Sequence, residues 1–290
     1  MPRTKGSVAL AVCDEMPEHF EEMDLLLEAL RRRGLDARQA VWSNPSVDWS
    51  EFGLVVIRAT WDYVWRRDEF LAWSKVVPSL ANPAEILAWN TDKRYLIDLV
   101  RKGVPVVPTQ FIAPGEPVDI PSGEVVVKPA VGMGSIDASL FGQHESEDAA
   151  DYVRLLQGTS RTAMVQPYRE RIDEAAETGL VYLDGRFSHA IRKGPMLRSE
   201  PVSLAGRWRE EVISSRVPDQ VEREVAEAAL DAVPRKKRDL LYARVDLVPG
   251  PSGPEVLELE ATEPALHLQH GEGSSDRFAG AIVRRLGEDS

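Results

Sequence analysis

Short, wholly apolar runs alternate along the chain with longer stretches in which apolar residues recur every three or four positions. Ser7 to Cys13 (SVALAVC) is an apolar run of strand length, and Glu18 to Arg33 carries a helical pattern closed by Gly34, a residue suited to the left-handed C′ position. A second short strand is expected near Ala37 to Trp42. Leu54 to Arg58 (LVVIR) is again continuously apolar, as in a parallel sheet covered on both faces, and Arg67 to Val77 reads as the helix that follows it. Strands alternating with helices predict a small open α/β unit over residues 1–88.

A helix is expected from about Asp92 to Lys102, closed by Gly103 and followed by the proline-flanked run GVPVVPT, so residues 89–122 read as a helix and linker entering a new unit. From Glu124 onward strands dominate, in EVVVKPA, ASLFGQ, AMVQPY, GLVYLDG and RFSHAIRK, with helical stretches near Glu147 to Leu156 and Val221 to Ala232. Leu180 to Arg192 carries a hairpin signal, because Asp184-Gly185 between two strand-like runs favours a type I′ turn. Two further strands, Leu240 to Val248 and Glu255 to Glu260, are separated by the turn Pro249 to Gly253, and a terminal helix is expected from Ser274 to Leu286. The result is a mixed α/β (α+β) chain, with a small central unit over 123–168 and an antiparallel-sheet unit over 169–290.

Composition narrows the function classes. The 290 residues are 43% hydrophobic and 28% charged, the balance of a globular protein with a real core. Lysine and arginine number 35 against 47 acidic residues, and a formal charge of −12 disfavours nucleic acid or an anionic membrane as partner. The single cysteine, Cys13, excludes a disulfide framework and a cysteine zinc cluster, fits a reducing compartment, and reads as a small buried residue ending a strand. The start lacks the pattern of a secretory signal, and no segment approaches the roughly 18 unbroken apolar residues of a membrane helix; the expectation is a cytoplasmic protein.

The informative chemistry is acidic. Period-two geometry puts Arg244 and Asp246 on one face of their strand, and Glu258 and Glu260 on one face of the next. Carboxylates embedded in apolar strands are costly unless something positive compensates them, and a pair of magnesium ions held with nucleotide phosphates would do so. LELE taken alone equally describes an edge strand with solvated glutamates. In VVVKPAVGMGS a lysine, Lys128, ends an apolar strand before a loop whose Gly132 and Gly134 would let backbone N–H groups approach phosphate oxygens. A lone GxG is most often an ordinary turn, and neither the GxxxxGK[ST] pattern nor GxGxxG after a first strand is present.

The order of these elements, NTDKRYL, GVPVVPT, a KP strand with its glycine loop, a strand into VQPY, and RVDL followed by ELE, resembles the ATP-grasp superfamily from about Asn90 to the C terminus. RATWDY, WNTDKRYLIDL, SHAIRK and ELEATEPAL look like a branch near the bacterial glutathione synthetases, one that includes the cyclo-ligase closing O-ureido-serine to cycloserine. The resemblance implies an N-terminal open α/β domain preceding the grasp, a central lid and a C-terminal catalytic domain. It implies that Lys93 and Lys128 hold ATP phosphates, that Gly132, Gly134 and Ser135 belong to the closing loop, and that Gln166, Pro167 and Tyr168 form the adenine-reading hinge. Glu170, or rather Glu177, would serve the ribose; Arg192 and Arg244 would face the γ-phosphate and reacting carboxyl; Asp246, Glu258 and Glu260 would hold two Mg²⁺ ions. Many relatives carry asparagine where Glu260 stands, and dimers are common among them, so the resemblance also implies a homodimer.

The N-terminal motif Arg58-Ala59-Thr60-Trp61-Asp62-Tyr63 follows a strand, where open α/β sheets bind ligands. Arg58 is a candidate clamp for a carboxylate and Asp62 for an amino group, the two ends of an amino-acid-like substrate, with Trp61 beside them; the same motif also reads as a loop packing its aromatics against a neighbouring domain. Met133 reads as loop filler, and His189, His267 and His270 as structural or substrate-adjacent, since their spacing matches no metal site or triad. Three functions share these residues: an intramolecular cyclo-ligase, an intermolecular amino-acid or dipeptide ligase, and an ATP-binding sensor without turnover.

Overall fold

The structure, a computed structural model, describes residues 6–15, 20–169, 171–194 and 212–288. The first unit contains β1 (Ser7–Val12), α1 (Glu21–Arg32), β2 (Asp36–Val41), β3 (Leu54–Ala59), α2 (Arg67–Val76) and β4 (Leu80–Ala81). Its four strands are all parallel, in the order β2-β1-β3-β4. Every residue of β1 and β3 is buried, which is why both read as unbroken apolar runs. Alternate side chains of β3 enter different cores: Leu54 and Val56 pack with α1, while Val55 and Ile57 join the aromatic cluster of Trp42, Tyr63 and Phe70.

The chain continues through α3 (Ala84–Asn90), a short helix that the sequence pattern does not predict, and α4 (Tyr95–Arg101), which falls within the helix expected from Asp92 to Lys102. The proline-flanked run then docks on the strand that ends the third sheet, Val256 donating to the Pro105 carbonyl at 2.8 Å and Val107 donating to that of Val256 at 3.0 Å. The central sheet consists of β5 (Gln110–Ile112), β6 (Val125–Pro129), β7 (Ser139–Phe141) and β8 (Ala163–Pro167), ordered β5-β8-β6-β7, antiparallel and backed by α5 (Ser146–Gly158). Residues 89–122 are thus more than a linker, since β5 is an edge of this sheet.

After α6 (Ile172–Ala175), the third sheet is built from β9 (Glu177–Leu183), β10 (Arg186–Lys193), β11 (Ile213–Arg216), β12 (Tyr242–Pro249) and β13 (Pro254–Glu260) in the order β11-β10-β9-β12-β13, entirely antiparallel, with α7 (Gln220–Asp231) on its outer face. Asp184 and Gly185 both take positive φ, 53° and 69°, as the type I′ turn requires. The terminal helix α8 (Ser274–Glu288) packs on α1 and β3 as well as on β9 and β10, so the first and third sheets share one core in which Leu26 and Val56 meet Val181, Tyr242 and Phe278. Among the described residues no helix is long and apolar enough to cross a membrane.

Two buried asparagines tie these sheets together. Asn82 accepts from the Leu241 N–H at 2.7 Å and donates to the carbonyls of Tyr242 and Ala261 at 2.8 and 2.7 Å. Asn90 donates to the Leu259 carbonyl and accepts from the Ala261 N–H, both at 2.7 Å. Truncating Asn82 strands three buried groups, each costing about 1–3 kcal/mol when left unmet. Asn82→Ala should therefore lower the unfolding free energy in urea by about 3 kcal/mol; a loss below about 1 kcal/mol would show that this tie is dispensable.

Candidate active site

A cleft of ≈ 670 Å³ opens between the three sheets. Its floor is one face of the third sheet, where strand register stacks charge on charge. Arg244 pairs with Glu260, Asp246 with Glu258 on one side and Gly179 on the other, and Glu177 with Lys193. Directly paired residues of antiparallel strands point to the same face, so all these side chains enter the cleft together. Gly179 is required in this row: a Cβ there would lie 3.0 Å from Asp246 Oδ1 and 2.9 Å from Ile191 Cγ1.

Each buried charge has an opposite partner. Arg244 is only 4% exposed; its Nε donates to Asp246 Oδ1 at 2.7 Å, its Nη2 to Asp246 Oδ2 at 2.8 Å and to Glu260, and its Nη1 to the Ala265 carbonyl at 2.6 Å. Lys193 Nζ lies 2.6 Å from Glu177 Oε1 and 3.3 Å from Asp246 Oδ2. From the opposite wall Lys128, on β6, reaches Glu258 Oε1 at 2.6 Å, and Lys93 stands 3.9 Å from Glu258 Oε2 while donating to the Gly132 carbonyl at 2.6 Å. The sequence pattern therefore brings Lys93, Lys128, Arg244, Asp246, Glu258, Glu260 and Glu177 into one site, with Gly132, Gly134, Ser135, Gln166, Pro167 and Tyr168 along the same cleft.

Burial and these partners set the protonation states. Burial opposes ionisation of Asp246, yet Arg244 and Lys193 hold its carboxyl well below the usual range. Glu258 is likewise held down, by Lys128 and Lys93. Burial pushes Glu260 up, and against the downward pull of Arg244 the negative charges of Asp246 and Glu258 push it the same way. Glu263, hydrogen-bonded by Tyr63, is pushed up to about 8 by burial and by the charge of Glu260.

Three residues expected in the cleft from the sequence point elsewhere, each for a geometric reason. Arg58, a candidate substrate clamp, shares the face of β3 that carries Leu54 and Val56, so its side chain enters the core, 1% exposed, paired with Glu22 and lying over Tyr242 and Phe278. Asp62 turns from the cleft to accept from Trp42 Nε1 at 2.6 Å. Arg192 lies outside the cleft and donates to the Glu174 carbonyl at 2.9 Å. A β-bulge between Phe187 and His189 shifts the hairpin by one residue, so Lys193, not Arg192, stands opposite Glu177. Trp61 does line the cleft, as do Tyr63, Glu263 and His267, which no pattern in the sequence singles out as a group. Glu170 lies outside the described residues.

The three-sheet architecture around a lysine-lined cleft is that of the ATP-grasp ligases. An ATP-grasp RimK domain protein from Sphaerobacter thermophilus superposes with a TM-score of 0.66 over 97% of this chain and 99% of that one at 17% identity. A D-alanine–D-alanine ligase from Bacillus anthracis does so with a TM-score of 0.67 over 97% of each chain at 11% identity. The "Cycloserine biosynthesis protein DcsG" of Streptomyces lavendulae is 39% identical over 282 residues, 91% of this chain and 94% of that protein. The crystal structure of D-cycloserine synthetase DcsG, 36% identical, has a TM-score of 0.86 over 97% of this chain and 100% of that one. The family described as "D-cycloserine synthetase DcsG, N-terminal domain" matches residues 8–83, the span of the parallel sheet. The chain belongs to the DcsG family and is an ATP-grasp ligase.

Glu263 gives this site a pH signature. Its carboxyl ionises near 4.5 in an ordinary setting and near 8 in the folded chain, so between those values the native state holds a proton that the unfolded state has lost. Its contribution to stability is present in full below pH 4.5 and is lost as pH rises towards 8. The decline in unfolding free energy between about pH 5 and about pH 8 should be shallower in Glu263→Gln than in the parent protein. Identical slopes would assign the decline to other groups.

Proposed function

We propose that this chain activates the carboxylate of a small, amino-acid-derived substrate with ATP and closes that substrate into a ring of cycloserine type. The observation that carries the reading is the charge balance of the cleft: four cations, Lys93, Lys128, Lys193 and Arg244, face four carboxylates, Glu177, Asp246, Glu258 and Glu260. An incoming polyphosphate that takes Lys93 and Lys128 leaves Glu258 in need of a cation, so phosphate and metal enter a site of already paired groups without creating an unpaired buried charge.

The donors suit magnesium. Asp246, Glu258 and Glu260 are hard oxygen ligands on neighbouring strands. Among the described residues no ready-made cage of three or more ligating side chains exists, and magnesium commonly takes one or two carboxylates and completes its shell with phosphate and water. When bound, the ions neutralise charge on the transferring phosphoryl group. Two of them would balance the roughly four negative charges of ATP at neutral pH.

The protein's own groups do the positioning. Lys93 and Lys128 orient the phosphates so that the substrate carboxylate attacks the γ-phosphoryl in line, giving an acyl phosphate and ADP. Arg244, fixed by Asp246 and the Ala265 carbonyl, stabilises the oxyanion formed when a nitrogen attacks the acyl carbon and phosphate leaves. Gly132 to Ser135, already latched to Lys93 through the Gly132 carbonyl, excludes water from the acyl phosphate. The alignment with DcsG across nearly the whole chain supports ring closure over joining of two molecules.

ADP release with O-ureido-serine as the only amino-acid compound is the expected result in the presence of Mg²⁺, with a product lighter by the elements of water after ring closure and lighter still once hydrolysis removes the carbamoyl group of the ring nitrogen as carbon dioxide and ammonia. A requirement for two compounds would instead establish an intermolecular ligase, and ATP binding without any ADP release a sensor. Glu258→Gln should cut ADP release by about 100-fold or more with the fold intact by circular dichroism; undiminished turnover would remove Glu258 from the mechanism. Lys128→Ala should weaken ATP binding about ten-fold, and unchanged affinity by calorimetry would contradict its phosphate role.

A further inference from the structure

Residues Pro264–His267, directly after the acidic strand β13, are held backbone group by backbone group from four different elements. Arg58 of β3 donates to the Pro264 carbonyl at 3.1 Å, Arg244 of β12 to that of Ala265 at 2.6 Å, and His189 of β10 to that of Leu266 at 2.8 Å, while Glu22 of α1 accepts from the His267 N–H. All four side chains are buried, none more than 7% exposed. Glu22 and Arg58 are also paired with each other. Gly271 makes room for His189, since a Cβ at that position would lie 2.5 Å from the imidazole Cγ.

This cage holds His267 in the left-handed region, with φ and ψ both 49°. For a residue with a side chain that conformation costs about 1–2 kcal/mol and persists only where the surroundings over-determine it, most often at functional sites. The ring lines the cleft, whose walls also include Phe20, Trp61 and Tyr63, and the charges that act on it include those of Arg244, Lys193 and Asp246. Burial, reinforced by Arg244 and Lys193, holds it far below the usual imidazole range, so it is uncharged at neutral pH and offers one donor and one acceptor.

We propose that His267 is a specificity-determining residue of the ligase, caged by Glu22, Arg58, His189 and Arg244 so that its ring fits an uncharged N–H or C=O group of the non-nucleotide substrate. The substrate role rests on the ligase reading above; the cage does not. It also gives Arg58 a role as a positioning residue.

Two variants separate ring from cage. His267→Asn keeps a residue that tolerates the left-handed region but removes the imidazole. It should raise the KM for the small substrate about ten-fold or more, with the ATP dissociation constant within about two-fold and slow amide exchange retained at position 267. Glu22→Ala should raise the same KM and speed exchange of the His267 amide about ten-fold or more, and Glu22→Gln, which keeps an acceptor, should restore both. An unchanged substrate KM in His267→Asn, or an equal loss of ATP affinity, would overturn the proposal. Absence of ADP release by the parent protein would defeat the ligase reading instead. Exchange would then decide alone: slow exchange lost in Glu22→Ala upholds the cage, and fast exchange at His267 in the parent protein overturns it.

Discussion

The structure depends on the mutual neutralisation of charges buried on one face of the antiparallel sheet. Arg244, Asp246 and Lys193 are each far too buried to be tolerated singly, and removing one member of such a pair typically costs about 3–5 kcal/mol, while the part-buried Glu258 is met by Lys128. Strand pairing brings them together, and the two lysines from the opposite wall close the set. Because Lys128 and Lys93 come from outside the sheet, the resting contacts are also the contacts that a phosphate-bearing ligand can replace.

The parallel sheet contributes differently. It supplies little of the cleft's charge, yet it shares a core with the antiparallel sheet through α8 and sends Glu22 and Arg58 to the backbone that follows β13. Asn82 and Asn90 bind the same junction through buried hydrogen bonds of their side-chain amides. The backbone after β13 is thereby fixed from several elements, whereas the glycine loop is tied to Lys93 through the Gly132 carbonyl and otherwise by short-range turns such as Ile136 N–H to the Met133 carbonyl. A fixed backbone on one side of the cleft and a lightly held loop on another suit an enzyme that shields a water-sensitive intermediate.

Much of the site was legible because β-strands have a period of two. That alone put Arg244 with Asp246 and Glu258 with Glu260, and the run VVVKP marked Lys128 as a charge ending an apolar strand. Arg192 shows the limit: the two-residue turn at Asp184-Gly185 implies a regular register that sets Arg192 opposite Glu177, and the bulge near Phe187 moves Lys193 there instead. Arg58 fails for a related reason. A continuous apolar strand gives no clue to which face an end residue takes, and only packing against α1 and α8 turns Arg58 inward.

By itself the sequence determined most of the strands and helices, and it marked the acidic strands and the two lysines that meet them, since these follow from local periodicity, turn chemistry and the order of short motifs. Tertiary structure alone decided which charges are partners and which face away. It made Arg58 a fastener and not a ligand, and gathered Tyr63, Glu263 and His267 along one cleft from segments some 200 positions apart in the chain. The reason is physical: burial and pairing are properties of contacts between distant segments, and a contact leaves no mark on either segment alone.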